Sequence, residues 1–477
     1  MPRFSRSAVP ICLLVTALAG CASFAPKPLS PQATATAFDT RSFTDPGLEH
    51  YLAAHLHRAL STHTWDLDKL TLAALYYHPD LAVARAQQHV AEAGIQVSRQ
   101  RPNPSLGFTP EYNFDAVSGM SPWILGWVLN FPIETAGRRG YRETQAAYQR
   151  GAARFHVAEV AWQVRSQVRS SMLACDAALH EQAILKQTLA LRENLLQAMQ
   201  RRLAAGEAAR PEVDAEQAAL ADVRLQLDRA RGRTAAAQVA LGAAVGVPVV
   251  ALDSVHLSFD ALNQLLSTAQ IPTPAVRRAA LTNRADLLAA LARYEVSQSA
   301  LQLEIARQYP DLQIGPGYKW DQGANKWSLG ISLTLPLFNQ NQGQIAQAKA
   351  QRELAAARFT ALQTQAIAQT ERALADYRAA LAALDSAQSL AATQQLRAQS
   401  AQRQFSSGDT DRSALAQVQL LVLAAENTRL TASIQTQRAL GTLEDAIQQP
   451  LDGSIQITDP ALPDPRRDSP AHQGSRP

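Results

Sequence analysis

Residues 326–337, KWSLGISLTLPL, alternate between apolar and polar side chains. Trp327, Leu329, Ile331, Leu333, Leu335 and Leu337 share one face, and Lys326, Ser328, Gly330, Ser332, Thr334 and Pro336 the other. A period of two predicts a strand with one greasy and one polar side. Three further segments carry it. In 105–115, Leu106, Phe108, Pro110, Tyr112 and Phe114 oppose Ser105, Gly107, Thr109, Glu111 and Asn113. In 123–133, Trp123, Leu125, Trp127, Leu129 and Phe131 share a face, and in 311–320 Leu312, Ile314, Pro316, Tyr318 and Trp320 do the same. Turns at AVSGMSP and DQGAN pair these four strands into two hairpins. Pro110 and Pro316 depart from the pattern, since each removes a ladder hydrogen bond and belongs at an edge or bulge.

The rest of the chain runs at a helical period. An opening helix over 67–100 stops before RPNP, as helices stop ahead of proline. Residues 138–204 hold no proline, and 345–405 neither proline nor glycine, which predicts two helices of about 90–100 Å. Their seams are Val157, Ala161, Val164, Val168, Cys175, Leu179, Leu196, Met199 and Leu203, and then Leu374, Tyr377, Leu381 and Leu384. Small alanines on a seam of threes and fours predict close, coiled-coil-like packing. Each long helix ends at a matched tip, LAAGEAARPE at Gly206 and FSSGDTDRSA at Gly408. Glycine there is the usual helix cap. Glu207 and Asp409 suit the start of a returning helix, Pro211 its first turn, and Arg210 and Arg412 recur as exposed cations beside a surface that meets something.

These elements come twice. ALYYHPDLAVARAQ from Ala74 matches ALTNRADLLAALAR from Ala280, RQRPNPSLGF from Arg99 matches RQYPDLQIGP from Arg307, LNFPIETAGRRG from Leu129 matches LTLPLFNQNQGQ from Leu333, and RRLAAGEAARPE from Arg201 matches RQFSSGDTDRSA from Arg403. The offset stays between about 202 and 208 residues. So long a period is duplication of a whole substructure, not a solenoid repeat.

Strands of about ten residues, with Tyr112, Phe114, Trp123, Tyr318, Trp320 and Trp327 gathered near the turns, have the length and aromatic girdle of membrane-crossing strands. Two hairpins cannot leave open edges in lipid, where each unsatisfied backbone group costs several kcal/mol. Four strands cannot close a barrel. Several chains must therefore share one, eight strands from two copies or twelve from three.

The first residues say how the chain reaches a membrane. A basic start, MPRFSR, precedes an apolar run too short to span and then Leu18-Ala-Gly-Cys21. That is a secretory signal whose ending resembles the bacterial lipobox, implying cleavage before Cys21, lipidation there and, with Ala22 following, an outer-membrane destination. Cys12 leaves with the signal and Cys175 stands alone on an apolar stripe, so neither a disulfide framework nor a cysteine metal site is expected in the mature chain. The net charge of +4 falls to about +2 without Arg3 and Arg6, too little to argue for nucleic acid. No phosphate loop, HExxH or placed Ser-His-Asp set argues for an enzyme; His55 and His57 lie close together in a linker-like region, and four methionines give no copper path.

A duplicated strand–hairpin–long-helix unit on a secreted lipoprotein resembles the TolC-like outer-membrane efflux channels, and within them the CzcC-like and CusC-like lipoprotein branches. The likeness rests on Arg101-Pro-Asn-Pro104 and Tyr309-Pro-Asp311, on FPIETAGRRG and LPLFNQNQG, and on the two tips. It implies a mainly α fold with transmembrane β: a homotrimer whose twelve strands form one barrel and whose helices form a periplasmic tunnel. Residues 1–20 are then a signal, 21–64 a lipidated linker, 65–250 the first repeat, 251–274 an equatorial linker, 275–451 the second repeat and 452–477 a disordered tail. Trp123, Leu125, Trp127, Leu129, Trp327, Leu329, Ile331 and Leu333 would face outer-membrane lipid. Gly206, Glu207, Arg210, Gly408, Asp409 and Arg412 would meet a periplasmic adaptor, with an inner-membrane RND-type pump behind it. Aspartates that ring the aperture in well-known members are replaced here by Ala414 and Gln417, which puts a cation-blocked entrance in doubt. The function implied is a passive exit duct without cofactor, for heavy-metal cations by resemblance to the CzcC-like branch. Multidrug efflux, a protein-secretion duct of the same fold and a structural coiled-coil lipoprotein are the alternatives.

Overall fold

The computed structural model describes residues 24–56, 64–267 and 270–451. Cys21, His57 and the tail 452–477 lie outside them. Two short helices, α1 (Pro31–Asp39) and α2 (Pro46–His55), come first, each opened by a capping side chain, Ser30 or Asp45, and a first-position proline. The first repeat follows as β1 (Thr64–Trp65), α3 (Leu67–Tyr77), α4 (Pro79–Arg99), β2 (Ser105–Tyr112), β3 (Trp123–Ile133), α5 (Arg138–Ala204) and α6 (Arg210–Val245). A connector holds α7 (Val249–Leu252) and β4 (His256–Leu257), which pairs in parallel with β1. The second repeat is α8 (Thr273–Thr282), α9 (Ala285–Ala306), β5 (Leu312–Asp321), β6 (Ala324–Leu333), α10 (Gln342–Ser407) and α11 (Arg412–Ile447).

Several elements differ from the sequence reading. The opening helix breaks into α3 and α4 at His78, which sits extended ahead of Pro79 and whose Nδ1 accepts from the Asp80 N–H at 3.3 Å. The second repeat breaks in the same place without a proline, at Asn283–Arg284. Strand β2 stops at Tyr112, not 115. Strand β6 runs over 324–333, not 326–337, because Asp321–Ala324 close a two-residue turn with positive φ at Gln322 (52°) and Gly323 (102°). The segment read as an N-terminal linker folds in part: Phe43, Leu48, Leu52 and Leu56 are buried against α3, the middle of α5 and the end of α6. Arg41 fixes it by donating to the last carbonyls of two helices, Tyr77 O at 3.1 Å and Gly246 O at 2.7 Å.

Helices α5 and α10 contain 67 and 66 residues, about 100 Å each. On the α5 seam Val157, Ala161, Val164, Val168 and Cys175 are buried as expected, and burial pushes the Cys175 thiol pKa up. Leu179 is exposed, and Leu195 takes the buried position beside Leu196. Leu374, Tyr377 and Leu384 are buried on α10. The two larger buried apolar clusters centre on α3, α5 and α6, joined by Ile434 of α11, and on α8, α10 and α11. Helices α4, α5, α9 and α10 pack in that order, and β2, β3, β5 and β6 pair in the matching order, so each strand continues into its helix along one row.

Candidate channel wall and helical tips

Register decides what the sheet can do. Antiparallel pairing sets Tyr112 opposite Trp123, Pro110 opposite Leu125, Phe108 opposite Trp127 and Leu106 opposite Leu129. It continues with Leu125 opposite Trp320, Trp127 opposite Tyr318 and Phe131 opposite Ile314. It ends with Tyr318 opposite Trp327, Pro316 opposite Leu329, Ile314 opposite Ile331 and Leu312 opposite Leu333. Directly opposed residues share a face, so all four apolar stripes fall on one side. Phe108, Trp127, Tyr318 and Trp327 form a single aromatic row, with ring centroids 4.3 Å apart in the first pair and 5.0 Å in the last. Both doubtful prolines stand inside strands. Pro110 lies on edge strand β2, and the β3–β5 ladder lapses where it meets Pro316.

The opposite face is polar and crowded. Gly107, Gly126, Gly315, Gly317 and Gly330 lie on it. A Cβ at Gly315 would come within 2.7 Å of Asn130 Oδ1, and one at Gly317 within 2.7 Å of Ser328 Oγ. Crowding on one side and open space on the other is the shape of a sheet curled with its polar face inward. Near the turns this face carries ion pairs, Lys319 to Glu111 at 3.4 Å and Lys326 to Asp321 at 2.5 Å. The apolar face is bare: Trp327 is 81% exposed and Ile331 68%.

Below the sheet, Arg138 pairs with Asp311 at 2.8 Å and Thr135 Oγ1 donates to Pro310 O at 2.7 Å, pinning the β3–α5 junction to the α9–β5 junction. The chain's middle holds an ionic cluster that periodicity does not reveal. Arg165 and Arg169 on α5 meet Glu444 on α11 at 3.0 and 3.5 Å, with all three side chains at most 7% exposed. Trp162 and Ser166 donate to Asp445 at 2.9 and 2.8 Å, and Arg169 also donates to Gln437. This cluster ties the first repeat to the second.

At the far end the two tips share one hydrogen-bond pattern. Gly206 N–H donates to Leu203 O and Glu207 N–H to Arg202 O, just as Gly408 N–H donates to Phe405 O and Asp409 N–H to Gln404 O. The glycines have φ of 75° and 84°, the left-handed cap conformation. Glu207 and Asp409 therefore finish the outgoing helices and do not start the returning ones. Helix α11 is capped instead by Asp411, which accepts from Ala414 N–H at 2.7 Å, while α6 begins with Arg210 and Pro211 and has no side-chain cap. Arg210 is exposed and 4.0 Å from Asp214; Arg412 opens α11, exposed. Asp411 also accepts from Arg202 at 3.1 Å, so one ion pair joins the two tips. Hydrogen bonding, chiefly from Ala414 N–H, holds the Asp411 carboxyl pKa below its ordinary value. A depressed pKa means the carboxylate's contribution is complete at neutral pH. It fades as pH falls below the ordinary carboxylate range and is lost through the lower folded-state value. Asp411→Ala should cost about 0.5–2 kcal/mol of local helix stability, read as faster amide exchange in the first turn of α11 but not of α6. Above this tip an open groove of about 560 Å³ runs between α5, α10 and α11, lined by Gln187, Gln395, Gln399, Gln402 and Gln419 among others.

Residues 71–247 and 276–448 each match the model of the outer membrane efflux protein family. The chain belongs to that family. It is an outer membrane efflux channel with a periplasmic extension, and not an enzyme. It is 28% identical over 288 residues to the cobalt-zinc-cadmium resistance protein CzcC of Cupriavidus metallidurans, covering 59% of this chain and 66% of that one, just under two thirds. It is 27% identical over 441 residues to the pyoverdine export outer membrane protein OpmQ of Pseudomonas aeruginosa, covering 83% of this chain and 90% of that one. Among solved structures, the outer membrane protein VceC of Vibrio cholerae shares its fold, with a TM-score of 0.66 at 17% identity over 81% of this chain and 96% of that one. Among the described residues no helix is long and apolar enough to cross a membrane.

Proposed function

We propose that three copies of this chain close a twelve-stranded barrel and form the exit duct of a tripartite efflux system that expels heavy-metal cations. The reading rests chiefly on one observation: four strands in register carry every apolar stripe on one face and end in two open edges. Three copies suit a duct better than two, since an eight-stranded barrel is filled by its own side chains. The apolar face, with Trp123, Leu125, Trp127, Leu129, Trp327, Leu329, Ile331 and Leu333, meets lipid, and the Gly-Ser-Thr face lines water. The tips at Gly206, Glu207 and Arg210 and at Gly408, Asp409 and Arg412, with the glutamine groove above them, receive a periplasmic adaptor backed by an RND-type pump. Cys21 carries the lipid anchor. Cargo is chosen by the pump, and the metal assignment is supported by similarity to CzcC. Similarity to OpmQ over more of the chain favours a second reading, export of an organic chelator. Deleting the gene in its host separates them. Sensitivity to cobalt, zinc and cadmium, restored by the intact gene, is expected. Unchanged metal tolerance with lost secretion of a metal-chelating organic compound would overturn the metal assignment and favour the second.

A further inference from the structure

Charge on the sheet is confined to one face and one end. Strand β3 carries no charged residue, and the other three strands carry only Glu111, Lys319, Asp321 and Lys326. Register puts all four on the polar face: Glu111 and Asp321 flank Ile124, and Lys319 stands between Gly126 and Lys326. Each lies in the last three residues of a strand before a turn or the first three after one. From there down to the helical junctions the same face holds only uncharged side chains.

The placement of the lysines needs an explanation. Lys319 and Lys326 are directly opposed across β5 and β6, a like-charge pair that costs stability when it stands alone. Each ammonium instead turns to its own carboxylate. Lys326 reaches Asp321 at 2.5 Å, and Lys319 crosses β3 to Glu111 at 3.4 Å. The crossing passes beside Gly126, which has no side chain to obstruct it. Two cations and two anions are thus held in pairs with no net charge. All four side chains stay in contact with solvent, from 24% exposed at Asp321 to 59% at Lys326.

We propose that these four residues set the charge preference of the duct's outer mouth, and that their pairing holds it near neutral. A free metal cation and an anionic chelate then leave with equal ease. The proposal rests on the barrel reading above, which turns the polar face toward water and the hairpin turns outward. A ring of unpaired charge would act otherwise, since like-signed groups on a low-dielectric wall concentrate the opposite ion and repel their own kind. Such a mouth would hold back either cations or anionic chelates, whereas a neutral one leaves the choice of cargo to the pump.

The test reads local potential from reaction rates. Ser328→Cys places a thiol at the next polar-face position below Lys326, in the full-length protein on intact cells, where Cys175 is buried. It is reacted with a cationic and an anionic methanethiosulfonate of similar size, and the two rates are taken as a ratio, in which any change of thiol acidity cancels. The ratio should match that of a small free thiol. Adding Glu111→Gln with Asp321→Asn should shift it by about two- to threefold toward the anionic reagent in about 0.1 M salt. Lys319→Gln with Lys326→Gln should shift it as far toward the cationic one, and both shifts should grow in dilute buffer. Exchanging one pair, Glu111→Lys with Lys319→Glu, should leave it unchanged. Asp115, in the β2–β3 loop, is retained throughout. A strongly skewed ratio with all four residues intact overturns the neutrality, and a ratio that neither double variant moves overturns the residue assignment. No reaction at Ser328→Cys in a protein that runs as a trimer on unboiled gels removes the open mouth but leaves the barrel. Reaction at Trp327→Cys and not at Ser328→Cys inverts the faces and takes the barrel reading with it.

Discussion

Ile331→Arg should destabilise the membrane-inserted protein by about 2–4 kcal/mol, whereas Ser332→Arg, one residue along, should leave it within about 1 kcal/mol. The two positions are adjacent on β6 and both exposed in a single chain, so burial cannot separate them. What separates them is the face. Ile331 stands opposite Ile314 on the side shared with Trp127, Tyr318 and Trp327, and Ser332 opposite Gln313 on the side with Gly315 and Gly317. Ile331 stands at the centre of the alternating run 326–337, where a guanidinium on the lipid side would have to enter hydrocarbon or drag water after it, its snorkelling reach being least there. On the other face, which the proposed barrel turns toward water, the same group would stay hydrated. The check is heat-dependent migration of the outer-membrane fraction, with denaturant titration in lipid giving the magnitude. Equal cost at both positions would refute the two-sided assignment, and a larger cost at Ser332 would invert it.

The faces on which that contrast depends are legible in the sequence alone. Alternation at 105–115, 123–133, 311–320 and 326–337 fixes which residues share a face, because a one-residue slip would flip a whole strand. What alternation cannot give is where pairing ends. The boundaries at Tyr112 and Leu333 fall where the partner strands begin, at Trp123 and Leu312, and so are set by the neighbour and not by the segment itself. The tips divide the same way. Gly206 and Gly408 announce their left-handed caps locally. Glu207 and Asp409 do not announce their places, since the bonds of their N–H groups back to Arg202 and Gln404 depend on how the last helical turn closes. Asp411 does carry a local signal: an aspartate three residues before Ala414, at the head of an apolar-periodic run, is an ordinary cap. Arg202 carries none, because its partner lies 209 residues away. The break at His78 is signalled by Pro79, whereas the equivalent break at Arg284 is not. Arg284 is extended there, its guanidinium donating to Asp286 at 2.7 Å and to Ala446 O at 3.1 Å.

The largest effect on stability is expected at a site no periodicity exposes. Glu444→Ala should cost about 3–5 kcal/mol, because it removes the carboxylate that two buried guanidinium groups share. The Glu444 side chain is 1% exposed, and one carboxylate oxygen, Oε2, serves both Arg165 and Arg169. Its other oxygen accepts from Leu451 N–H at 2.9 Å, closing the chain beyond α11. After the substitution Arg169 keeps its two bonds to Gln437, and Arg165 keeps its position 5.0 Å over the Trp162 ring. Gly441 gives Arg169 room at α11, since a Cβ there would meet a guanidinium nitrogen. A buried ion pair is nevertheless weak evidence for stability, since desolvation offsets most of its attraction. The decisive comparison is therefore the triple replacement of Arg165, Arg169 and Glu444 by Met, Met and Leu. If the cluster's role is specificity of docking between the repeats, the triple variant should recover most of the stability lost by Glu444→Ala. It should also show looser coupling of α5 to α11, read as faster amide exchange along both helices. If the triple variant is as unstable as the single one, the hydrogen-bonded geometry itself holds the repeats together. Either result bears on the tips, because a single helix, α11, carries both this cluster and the tip capped by Asp411.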